Sequence, residues 1–60
     1  MSPVLLTVEE AADALALGRT KVYELLDAGA LRSIKIGRAR RIPVEALHEF
    51  VHRMESQATA

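Results

Sequence analysis

The sequence predicts one small domain, mainly α with a β-hairpin, in the order helix, helix, hairpin, helix. Three features predict it. Apolar residues recur at helical spacing from Val8 to Leu26, with a break at Gly18. After Leu31 the period shifts to the alternation of a strand. After Pro43 it returns to helical spacing.

The first helix is expected over Val8 to Leu15. Thr7 and Glu10 have the spacing of a capping box, and Leu6 can pack on Ala11 as a hydrophobic staple. Val8, Ala11, Ala12 and Leu15 form one face. Glu9 and Glu10 lie in the first turn, where the helix dipole favours anions. Gly18 is expected to cap the second helix, with Val22, Leu25 and Leu26 as its apolar stripe and Gly29 as its left-handed end. A turn of about four residues between the two makes a helix-turn-helix. The small Ala11 and Ala12 let the helices approach closely.

Ile34 and Ile36 alternate with Ser33 and Lys35, as in a half-buried strand. Gly37-Arg38-Ala39 reads as a tight turn and Arg40-Arg41-Ile42 as the return strand. The expected two-stranded hairpin is apolar on one face and basic on the other. Pro43 fits the first position of a third helix. Val44, Leu47, Val51 and Met54, with Phe50 alongside, form its stripe, and Glu49 with Arg53 an i, i+4 pair. Ser56 to Ala60 lack periodicity and are expected to fray. A helix-turn-helix followed by a basic hairpin is a winged helix-turn-helix. The whole chain, 1–60, is expected to be that one domain, with an ordered core over about residues 5–55.

Composition narrows the function classes. Sixty residues leave no room for a deep substrate cleft with its supporting shells, and none for a second domain. Half the chain is apolar, enough to fold. The absence of cysteine removes disulfides and thiolate zinc sites, which fits a reducing compartment. No apolar run approaches the roughly 20 residues of a membrane span, and the start lacks the features of a secretory signal. A cytoplasmic protein without membrane contact or cofactor is expected.

Charge is segregated beneath a formal total of zero. Seven of the eight basic residues lie between Arg19 and Ile42, against only Glu24 and Asp27. Such a surface fits a polyanionic partner; the alternative is an ordinary solvated basic loop. On helix two, Thr20 and Glu24 are expected to point away from the core, flanked by Lys21 and Tyr23. Recognition helices place such N-terminal residues against base edges. Thr20 and Lys21 can reach phosphate or a base, and the Tyr23 hydroxyl a phosphate. Tyr23 can equally pack at the core edge. Glu24 can accept from a cytosine amino group or pair with Lys21 or Arg19.

The hairpin carries Lys35, Arg38, Arg40 and Arg41. Arg38 sits at the tip, where it can enter a minor groove. Arg40 and Arg41 point to opposite faces, so one of them at most joins Lys35. The alternative role of these charges is to keep an edge strand from pairing with other sheets. His48-Glu49-Phe50-Val51-His52 matches the metalloprotease signature H-E-x-x-H. The match fails as a metal site, because the chain has neither a third histidine nor a cysteine. Neither catalytic nor metal-binding residues are expected.

Leu5 to Val51, about four fifths of the chain, resembles the excisionase-type helix-turn-helix proteins, small relatives of the MerR DNA-binding domain. The resemblance rests on Leu6-Thr7-Val8-Glu9-Glu10-Ala11-Ala12, Gly18 to Leu26, Gly29-Ala30-Leu31, Ile34 to Arg38, Arg41-Ile42-Pro43 and Ala46-Leu47. It implies helix two in the major groove and the wing against an adjacent minor groove. It also implies DNA contacts at Arg19, Thr20, Lys21, Tyr23, Arg38 and Arg40. Gly18 replaces a common serine cap and Arg40 a common aromatic. The implied function is that of a recombination directionality factor. Such a protein binds repeated sites, bends attachment-site DNA and steers an integrase toward excision. Cooperative self-association on DNA is part of this expectation. A small MerR-like transcriptional regulator is the runner-up, and a non-enzymatic protein-interaction adaptor the alternative of another class.

Overall fold

Thr7 sets the start of the first helix. Its hydroxyl accepts from the Glu10 amide at 3.1 Å, and the Glu10 carboxylate accepts from the Thr7 amide at 2.9 Å. The reciprocal cap is the one its spacing predicts. The computed structural model describes residues 4–58. Its elements are β1 (Leu5–Leu6), α1 (Val8–Leu15), α2 (Arg19–Asp27), β2 (Ile34–Ile36), β3 (Ala39–Pro43) and α3 (Val44–Ala58). Three helices and a three-stranded antiparallel sheet make a winged helix-turn-helix.

Both helix ends of the helix-turn-helix are Schellman-type closures. After α2, Gly29 (φ 77°) donates to the Leu26 carbonyl and Ala30 to that of Leu25. After α1 the same pattern uses an alanine: Ala16 (φ 57°) donates to Asp13 and Leu17 to Ala12. The chain therefore turns two residues before Gly18, which is itself extended (φ −73°) and serves as the N-cap of α2. Ala11, Ala12 and Val22 are buried where the two helices meet, and Leu6 joins them in the core.

The hairpin turns on Gly37 and Arg38, with Ile36 opposite Ala39. Gly37 has φ 62°, and a positive φ at the first central position suits the right-handed strand twist. β3 lies between β1 and β2, so the sheet has three strands rather than two. β1 is invisible to a sequence reading because two residues carry no period.

The half-burial expected of the first wing strand is absent. All of β2 is exposed, with Ile34 at 38% and Ile36 at 57%. The cause is strand parity. Ile42 is fully buried and pairs with Leu6, while Lys35 pairs with Arg40. Alternation puts Arg40 and Lys35 on the face that Ile42 continues into the core, and Ile34 and Ile36 on the opposite face.

Other expectations are corrected near α3. Pro43 ends β3 opposite Leu5 instead of opening the helix. Val44 opens it, and its amide donates to the Val4 carbonyl at 3.1 Å. Ala46, Leu47 and Phe50 are buried, whereas Val51 and Met54 remain exposed because the core under α3 ends at Phe50. Glu49 bridges Arg32 at 3.3 Å and Arg53 donates to the Ala30 carbonyl, so the loop before β2 takes both members of the expected pair. Helix continues through Ser56 to Ala58, where the sequence predicts fraying; Thr59 and Ala60 lie outside the described residues.

Leu31, Ile42 and Val22 are the largest fully buried side chains. Each contributes about 1.5–3 kcal/mol by leaving water. All three belong to one core cluster, in which α1 packs against both α2 and β3 and so relates α2 to the hairpin.

Candidate nucleic-acid interface

The first turn of α2 has no side-chain cap. Gly18 supplies no side chain to cap the helix, so no cap side chain accepts from the amides of that turn. A helix N-terminus left in this state attracts phosphate through its N–H groups and dipole. Val22 is buried and Leu25 and Leu26 half-buried, which turns Thr20 and Glu24 outward. Tyr23 is 45% exposed.

The fold then brings the wing to α2. One open groove is lined by Arg19 and Tyr23 of α2, by Arg38, Ala39, Arg40 and Arg41 of the hairpin, and by Thr7, Val8 and Glu9 of the α1 start. Arg19 and Tyr23 are one helical turn apart and so share a side of α2. Arg40 and Arg41 are half-buried, and the Arg41 guanidinium donates to the Arg40 carbonyl at 2.9 Å. Arg38 is exposed in the two-residue turn. Five of the nine sequence-predicted contact residues thus converge on one surface. The other four stand outside it. Thr20 and Glu24 occupy the outermost side of α2. Lys21 lines a separate apolar hollow with Leu15, Leu17, Leu25, Phe50 and Met54. Lys35 is exposed on β2 opposite Arg40.

Two ion pairs involve these residues. Lys21 Nζ lies 3.6 Å from Glu24 Oε1, and Arg19 Nη1 lies 3.4 Å from Glu9 Oε2. Of the partners open to Glu24 from sequence, Lys21 is therefore the one it takes within the chain. The Glu9 contact is one that sequence reasoning misses. Glu9 and Arg19 sit on different helices at a separation no helical period connects, so no local pattern signals the pair. Every described polar or charged residue is at least partly exposed, which places the candidate chemistry on the surface.

His48 and His52 line a hollow with Leu6, Leu15, Leu47 and Val51. Among the described residues no three histidine or acidic side chains form a metal-holding group. No described helix is long and apolar enough to cross a membrane.

Residues 5–55 match the family described as a helix-turn-helix domain. A protein of Streptomyces ambofaciens named excisionase is 47% identical over 51 residues, covering 85% of this chain and 82% of the relative. The chain belongs to the excisionase family of helix-turn-helix proteins. A second excisionase-family relative, a probable excisionase of Saccharopolyspora erythraea, is 53% identical over 57 residues. That alignment covers 95% of this chain but 58% of the relative, so the chain spans little more than half of that protein's length. No solved structure matches this excisionase-family chain.

Proposed function

We propose that this chain binds duplex DNA at preferred sequences and acts, without catalysis, as a recombination directionality factor. The observation that carries the reading is the groove shared by α2 and the wing, in which Arg19, Tyr23, Arg38, Arg40 and Arg41 converge. α2 enters the major groove with Thr20 nearest the bases, and Lys21 reaches the DNA from the flank of the helix turned away from the wing. Phosphate takes the cations around the groove, and the Arg38 tip reaches the neighbouring minor groove. Glu24 moderates Lys21, and Lys35 adds a further phosphate contact. The output is architectural. Single modules bury only about 600–1,000 Å² of protein surface, so neighbouring copies act together on repeated sites. They offset the cost of bending attachment-site DNA and so favour the geometry in which an integrase excises. The reading places the protein in the cytoplasm with the DNA.

The test is a titration of labelled duplexes with one site, two adjacent sites and random sequence. Tighter binding to the attachment region than to random DNA, with a further gain on two sites, is the expected result. Equal affinity for all three overturns the reading. Equal affinity per site on the first two removes cooperation and leaves DNA binding standing.

A further inference from the structure

Glu9 is the only acid among the residues lining the cationic groove. Its position in the first turn of α1 explains why a carboxylate suits the helix there. It does not explain why that carboxylate reaches Arg19 on the next helix, at 3.4 Å. Both side chains are largely exposed, 64% for Arg19 and 73% for Glu9. An exposed pair of this kind is weak and screened, and so contributes little to folding. It is also readily exchanged. Arginine binds phosphate with the same fork of donors it offers a carboxylate.

We infer that Glu9 is a positioning residue that restrains DNA affinity. It holds the Arg19 guanidinium at the groove as an intramolecular stand-in for phosphate, and DNA must displace it. This rests on the DNA-binding reading and adds a residue to it. Phosphate is common to every duplex, so the restraint acts equally on specific and random sequences. It keeps a domain with a strongly cationic groove from gripping any polyanion it meets. Glu9 acts through Arg19 and touches no base.

The experiment is a double-mutant cycle with Glu9→Gln, Arg19→Ala and the combined variant, on attachment-region and random duplexes. Gln keeps the size of the side chain and removes its charge. Glu9→Gln should tighten binding about two- to fivefold on both duplexes, the range expected for releasing one exposed ion pair. In the Arg19→Ala background the same substitution should gain nothing. Thermal melting followed by circular dichroism confirms that each variant is folded. Unchanged affinity of Glu9→Gln overturns the inference alone. A gain that persists without Arg19 also overturns it, because Glu9 would then act as a bare repulsive charge. Failure of the wild type to bind either duplex overturns the inference together with the DNA-binding reading beneath it.

Discussion

The helix-turn-helix and the outer strand of the wing carry the same kind of cationic side chains on very different supports. α1 and α2 meet over Ala11, Ala12 and Val22, all buried, and both helix ends are closed by paired backbone bonds. β2 has no buried residue at all. It is held by its ladder to β3 and by the turn at Gly37, and its isoleucines face solvent. Residues on α2 are therefore set by packing, whereas the wing tip is set by backbone hydrogen bonds. Rigid elements suit contacts that read bases, and a less anchored tip suits contacts that adapt to a groove.

The sharpest way to break this comparison uses two isoleucines of one hairpin. Ile42→Ala removes a fully buried side chain and should cost about 2–5 kcal/mol, much of the stability of so small a domain. Ile36→Ala removes one that is 57% exposed and should cost less than about 0.5 kcal/mol. Urea denaturation of both measures the contrast. Similar losses would mean that β2 packs on something after all.

Binding should divide along the same line. Thr20→Ala should weaken specific binding by about 1–3 kcal/mol if its contact is to a base, with little change on random DNA. Arg38→Ala should leave the fold intact and make the salt slope shallower by about 0.9 for one lost phosphate contact. An unchanged slope would return the basic hairpin to the role of a charged edge that resists sheet pairing.

The turns provide the next test. Gly37→Ala places a side chain at φ 62° and should destabilise the hairpin by about 1 kcal/mol. Faster amide exchange confined to β2 and β3 would show that the wing opens separately; uniform acceleration would show that it does not.

The smallest expected effect is a gain. Ala16→Gly relieves the left-handed strain at the end of α1 and should stabilise the domain by a few tenths to about 1 kcal/mol. A lower melting temperature would contradict the strain argument.

Much of the architecture was legible in local chemistry. Thr7 and Glu10 announced α1, Gly29 the end of α2, and Gly37-Arg38-Ala39 the hairpin turn, although Ala39 already belongs to β3. The candidate site was legible as a set of residue types on α2 and the hairpin. Its grouping was not, since nothing local indicates that Arg19 and Tyr23 share a groove with Arg38, Arg40 and Arg41 while Lys21 faces another hollow.

The sequence by itself determined the order of the three helices and the hairpin, the caps at Thr7 and Gly29 and the charge segregation, because each depends on neighbours within a few residues. Only the tertiary structure decided which face of the hairpin meets the core, where α3 loses its cover, and which acid answers Arg19. The two-residue β1 pairs with the far end of β3 and, with Ile42, fixes the parity of the strand. Once Ile42 turns inward, alternation turns Ile34 and Ile36 out. The pairing that settles this joins residues at opposite ends of the fold, beyond the reach of any local period.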